Sequence, residues 1–306
     1  MDLDRFSSWC EEQIYNDLEE VYKKANLTEL EKSIFNKYKK YNIENWLLRA
    51  KNGYFKSGAF IEQNDEFPNF IQLLARALIN LDSPKVSGAK VKFIKEMFGD
   101  KTIHKCQEIE KGHFRSEIIS NIIENKYFEL RLMSFFIENM FEIELCSSKI
   151  KGKKIPEFVA IKNNLRINVE AKKMDEDKIA DNIFGNHFIE GIDYNPTAIE
   201  LEKGYGKIKA ALENNYEKAL LKFYDIPSTE FFVIFISVYF KLEFMGQQTI
   251  DYLNSIPDKW NTSRYNNLAG VVLLDQYKTY FLENKNCKLR LSKDIKNITF
   301  LHEYEP

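Results

Sequence analysis

Glu157, Glu170 and Lys172 stand out in the chain because their charges and their spacing fit one another. They lie in the stretch Pro156-Glu157-Phe158-Val159-Ala160-Ile161-Lys162-Asn163-Asn164-Leu165-Arg166-Ile167-Asn168-Val169-Glu170-Ala171-Lys172. Asn163-Asn164 suits a two-residue hairpin turn, because asparagine tolerates the positive φ such turns require. A hairpin centred there pairs residues whose numbers sum to 327. Glu157 then faces Glu170 directly, and opposed side chains sit with Cβ atoms roughly 4.5–5.5 Å apart. Lys172 follows on the same face by the period-two alternation of a strand. Two carboxylates pressed together repel unless a cation bridges them or one holds a proton. Oxygen ligands at that separation suit a hard divalent ion such as magnesium, which keeps several waters and takes only one or two carboxylates. A lysine beside such an ion can orient or deprotonate a bound water while the ion stabilises charge on a phosphate oxygen. Those are the requirements of phosphodiester hydrolysis.

The register has a second support. The opposite face of the hairpin carries Phe158, Ala160, Ile167, Val169 and Ala171, all apolar, and a one-residue slip would bury the charges instead. Arg166 and Asn168 join the face that bears the glutamates. Between Leu145 and Lys173 there are eight cationic residues against two glutamates, an excess of six positive charges in a chain whose net charge is -2. A local patch of this kind binds phosphate backbones, and Lys151, Lys153, Lys154, Arg166 and Lys173 are its candidates. The competing reading is a solvated hairpin edge protected by lysines. Lys203-Gly204-Tyr205-Gly206-Lys207 lacks the spacing of a phosphate loop, but Lys203 and Lys207 can reach backbone phosphates.

The elements that must position these residues are legible from periodicity. A helical pattern from Phe114 to about Asn139 runs into the alternating Phe141–Leu145, followed by the two strands of the hairpin. A helix over Lys203–Phe223, a buried strand over Glu230–Phe240, a short helix over Thr249–Leu253 and a buried strand over Leu268–Leu274 come next. This order predicts an α/β fold with a mixed central sheet flanked by helices. On the first helix Ile119, Ile122, Met133, Phe136, Ile137 and Met140 form one apolar arc, and Glu129 falls inside it. A carboxylate on a buried face needs a metal or an ion pair, and Lys126 projects into the same arc.

Pro156-Glu157, twelve intervening residues and Glu170-Ala171-Lys172 together resemble the PD-(D/E)XK nuclease superfamily, whose core is the restriction-endonuclease-like fold. The resemblance spans residues 114–275 by order of elements, and its specific residues lie in the hairpin. It implies that Glu157 and Glu170 are metal ligands, that Lys172 is the catalytic lysine, and that the Ala171 carbonyl is a further ligand. It also implies Glu129 as an additional acidic ligand, magnesium as cofactor with manganese able to substitute, DNA as substrate, and a homodimer where both strands are cut. The setting it suggests is restriction, defence against foreign DNA or repair. The family's usual aspartate after the proline is Glu157 here, one methylene longer. That departure leaves open a nuclease-like module that binds nucleic acid or a partner without turnover. A structural domain with a coincidental Glu-Ala-Lys is the third reading.

Length and composition bound the rest. The chain has 306 residues, 44% hydrophobic and 29% charged, with 12 glycines and 7 prolines, which excludes disordered and low-complexity classes. Residues 1–111 read as a helical domain for recognition or partner binding, and 112–306 as the α/β domain, with a boundary in the polar stretch Gly99–Gly112. Cys10, Cys106, Cys146 and Cys287 are scattered without a metal or disulfide spacing, which suits a reducing cytoplasm. No apolar run approaches the roughly 20 residues needed to cross a bilayer, so no membrane partner is expected. Nucleotide-binding, zincin, serine-hydrolase and EF-hand signatures are absent.

Overall fold

The computed structural model describes residues 22–41, 43–44, 47, 66–98, 116–146, 155–174, 198–238, 246–274 and 279–290. The chain divides into two compact units, Met1–Ser134 and Phe135–Pro306. The expected boundary at 111/112 lies outside the described residues. In the first unit the described elements are α1 (Glu29–Tyr38), α2 (Glu66–Asp82), the short strand β1 (Val86–Gly88), α3 (Lys90–Phe98) and most of α4 (Ser116–Glu138), which runs across the division. Helix α1 starts at a capping box, in which Thr28 and Glu31 satisfy each other's backbone N–H.

The second unit is α/β. Strands β2 (Glu142–Leu145), β3 (Phe158–Lys162), β4 (Leu165–Lys173), β5 (Phe231–Ser237), β6 (Leu268–Leu274) and β7 (Thr279–Glu283) stand side by side in chain order. Pairing is antiparallel from β2 to β4, parallel from β4 to β6, and antiparallel again between β6 and β7. The parallel strands need crossovers, which α5 (Ala198–Phe223) and α6 (Gly246–Ser255) supply. Ile208, Leu212, Tyr216 and Leu220 of α5 and Leu253 of α6 form one buried cluster with Phe232, Ile234 and Ile236 of β5. On the other sheet face Phe136 of α4 meets Phe158 and Phe235 edge-on, with ring centroids 5.7 and 6.0 Å away. A mixed sheet with helices is therefore what the chain forms. Strands β1 and β7 are additions to the sequence reading.

Helix α4 turns into β2 through a Schellman motif. Phe141 N–H donates to Phe136 O at 2.9 Å and Met140 N–H to Ile137 O at 3.0 Å. The Phe136 and Phe141 rings close the motif, 5.2 Å apart and perpendicular. Met140 occupies the left-handed position at φ 67° and is 66% exposed, so it lies beyond the helix and outside the apolar arc expected of it. Its side chain contributes little burial while its backbone is strained. Met140→Gly is accordingly expected to raise the unfolding free energy by about 0.5–1 kcal/mol. An unchanged or lower denaturation midpoint would count against strain at this corner.

Among the described residues, no helix is long and apolar enough to cross a membrane.

Candidate functional site

The turn between β3 and β4 forms as its residues dictate, with Asn163 at φ 48° and Asn164 at φ 66°. Phe158 pairs with Val169, Ala160 with Ile167 and Lys162 with Leu165, the register expected from the turn. Glu157 lies just before the first paired residue, its N–H donating to Val169 O at 3.0 Å, one residue out of the hairpin register. The Glu157–Glu170 cross-strand pair expected from the turn does not form; the two carboxylates are brought together by the lysines they share. Phe158, Ala160, Ile167, Val169 and Ala171 are buried on the far face, as the pattern requires.

The face that bears Glu170 is itself covered, because β4 is an interior strand with α5 packed over it. Glu170 is fully buried, and its neighbour in the parallel register is Ile234 of the α5-facing cluster. Two ammonium groups meet this carboxylate. Lys172 pairs with Glu170 Oε1, and Lys222, from the last turn of α5, lies 2.7 Å from Glu170 Oε2. Lys222 also donates to Glu157 Oε1 at 3.0 Å, and Lys172 stands 3.9 Å from the same oxygen. The two carboxylates thus share both cations, Lys222 closely and Lys172 more loosely at Glu157, and the quartet balances two negative charges with two positive ones. Both Glu170 oxygens are met by ammonium groups, one from each lysine. Burial pushes the Glu170 carboxyl above the ordinary range, against the pull of both lysines. For Lys222 burial acts downward but is outweighed by Glu170 and Glu157, so its ammonium is held above the usual value.

Lys222 is the residue that sequence reasoning missed. Nothing in a helix 50 positions downstream of Lys172 signals that its final turn closes over the hairpin. The available hint was a lysine on a segment whose other repeating positions, Tyr216, Ala219, Leu220 and Phe223, are apolar.

Further along the same face, Arg166 is held by two carboxylates, its Nε donating to Glu230 Oε1 at 2.9 Å and its Nη2 to Glu144 Oε2 at 3.0 Å. Asn168, buried, donates to Glu230 Oε2 at 2.8 Å. The charge excess of the hairpin is therefore partly met from β2 and from the residue before β5, neither of which lies in the stretch counted. Lys162 donates to Asn139 O and covers the Phe141 ring. Lys173 ends β4 opposite Ser237, and Lys207 is exposed on α5. Lys151, Lys153 and Lys154 lie outside the described residues, as does the side chain of Lys203. Cys146 follows β2; burial pushes its thiol up to about 11, helped by Glu144 and Glu157, so it stays protonated and is no nucleophile near neutral pH.

Glu129 belongs to the first unit and pairs with Lys126 at 2.6 Å. The single-arc picture of α4 is corrected over its C-terminal half. Every residue from Phe128 to Ile137 is buried, charged Glu129 and Arg131 included, so the segment is enclosed on all sides rather than along one stripe.

The residues of the quartet fit a divalent ion in their chemistry. Two neighbouring carboxylates, one of them fully buried, offer anionic oxygen in one place, and each Glu170 oxygen is already met by a lysine ammonium that an ion would displace. Among the described residues no cluster of three or more His, Cys, Asp or Glu exists. A donor set this small suits an ion that retains most of its waters. No family model, curated protein or solved structure matches the chain.

Proposed function

We propose that the chain is a magnesium-dependent nuclease that hydrolyses DNA phosphodiester bonds, with a restriction-endonuclease-like core built on β2–β6. The observation that carries this reading is the convergence of the Glu157 and Glu170 carboxylates on Lys172 and Lys222. Glu157 and Glu170, with the Ala171 carbonyl, would hold the ion, and manganese would substitute for it. A bound divalent ion supplies charge stabilisation at the phosphate and lowers the pKa of an attacking water. Lys172 Nζ, on a side chain 23% exposed beside the buried Glu170, is the ammonium that would donate a hydrogen bond to a water or phosphate oxygen arriving from the solvent side. Lys222 Nζ orients both carboxylates from the α5 side and adds positive charge where a phosphate would approach. Lys207 and Lys173 extend that positive surface.

The charge-balanced quartet favours a second reading, a nuclease-like module that binds nucleic acid or a partner without turnover. Lys222 neutralises the same two oxygens that an ion would require. Plasmid, linear duplex and single-stranded DNA incubated with and without magnesium separate the two. The expected result is magnesium-dependent cleavage of at least one substrate, reduced roughly 10²–10³-fold in Lys172→Ala, the scale for loss of one charge-stabilising donor. Salt-sensitive binding of DNA without cleavage would establish the second reading instead.

A further inference from the structure

A cavity of about 370 Å³ opens beside the α5–β5 connection, between residues 223–228 and 263–267. That volume lies in the low part of the roughly 300–1,000 Å³ range of small-molecule sites. Among the described residues that line it, Arg264 is the charged one. Arg264 makes no ion pair among the described residues, and its guanidinium carbon sits 4.0 Å from the centre of the Tyr224 ring. A contact of that kind engages the face of the guanidinium and leaves its N–H edge for an anion.

Tyr224 is held in place. Its hydroxyl lies 3.2 Å from that of Tyr265, and the Tyr265 ring stacks on buried Phe223 at 6.0 Å. Tyr224 is nonetheless 40% exposed, so part of its ring stays open to solvent beside Arg264. The Asn267 amide donates to Ser228 O, tying the two walls together and leaving its own oxygen as an acceptor. Asn266 adds a second amide to the lining. An aromatic face, one cation and two amides in a small cavity are the groups that recognise a nucleotide: the ring stacks a base, the guanidinium takes a phosphate, and the amides meet the base edge.

The cavity is also tied to the carboxylate pair. Tyr224 stands two residues after Lys222, and the same connection ends in Glu230, which accepts from Arg166 and Asn168 on the Glu170 face of β4. We propose that this cavity binds one nucleotide of the substrate strand, with its phosphate on Arg264 and its base on Tyr224. The choice of a nucleic-acid strand as ligand rests on the nuclease reading above.

Calorimetric titration of the full chain with thymidine monophosphate, thymidine and inorganic phosphate tests the assignment. The nucleotide is expected to bind at least tenfold more tightly than either fragment. Arg264→Ala and Tyr224→Ala should each weaken it at least tenfold, with Tyr224→Phe close to the parent. Equal binding of nucleotide and phosphate by the parent, or an affinity unchanged in Arg264→Ala, would overturn it. The parent comparison holds even where a variant fails to fold. Parallel cleavage assays keep the two claims apart. Cleavage by the parent with an unaltered KM in Arg264→Ala removes the cavity alone. Nucleotide binding that depends on Arg264, in a chain that cuts no DNA, keeps the cavity and removes the nuclease.

Discussion

Lys222→Met is expected to lower the stability of the fold by about 3 kcal/mol, the scale for removing one partner of a buried ion pair. The reason lies in Glu170, which is fully buried and has two cations to neutralise it, one from its own strand and one from α5. Removing the α5 cation leaves two carboxylates facing a single ammonium, that of Lys172. The loss should be non-additive: Glu170→Gln combined with Lys222→Met is expected to be more stable than the sum of the two single changes predicts, by about 1–3 kcal/mol. Magnesium should partly substitute for the missing ammonium. At millimolar magnesium the melting temperature of Lys222→Met should rise more than that of the parent, because an ion that binds only the folded state stabilises it by mass action. Urea denaturation of the four proteins of the cycle, and thermal melts of parent and Lys222→Met with and without magnesium, measure all of this. Parent-like stability in Lys222→Met with no coupling to Glu170 would remove Lys222 from the site.

Gly270→Ala is expected to cost about 3 kcal/mol or more, enough to leave much of the protein unfolded or insoluble. Gly270 is in β6 between β5 and β7, pairing with Val233 on one side and Glu283 on the other. It adopts φ +141°, a backbone conformation that L side chains rarely take. A methyl group there would fall well inside the van der Waals radius of the Leu282 carbonyl oxygen, and backbone cannot give way as a flexible side chain can. The strand register shifts at this point, between Phe232 and Val233, and the glycine accommodates that shift. Gly206 is the contrasting case. It lies within α5 with nothing within 4 Å of an added Cβ, so Gly206→Ala should stabilise by up to about 1 kcal/mol. Thermal melts of the two variants should move in opposite directions; equal shifts would show that neither glycine is held by its conformation.

The parts of the site that were legible in sequence are those fixed locally. Asn163-Asn164 demands a tight turn and the turn sets the register from Lys162–Leu165 to Phe158–Val169, which stops one residue short of Glu157. The strand Leu268–Leu274 was legible because a wholly buried parallel strand is a continuous apolar run. Lys222 and the Arg166–Glu230 and Arg166–Glu144 pairs were not legible, because each depends on how distant elements cross the hairpin. The burial of Glu170 was hidden for the same reason: alternation tells which face a residue is on, not whether a helix covers that face. Strand β7 was missed because its residues, Thr279–Glu283, are all half-buried and give no contrast between faces. In α4 a single apolar stripe was expected, and burial on every side erased the periodicity from Phe128 to Ile137.

The central claim is that Glu157 and Glu170 together hold a divalent ion. Anomalous diffraction from crystals of the full chain soaked in manganese tests it most directly, since the ion is located rather than inferred. The account predicts one peak between the two carboxylates, roughly 2.0–2.3 Å from an oxygen of each, absent in crystals of Glu170→Gln. A map with no peak at the pair, or a peak that persists unchanged in Glu170→Gln, would contradict it.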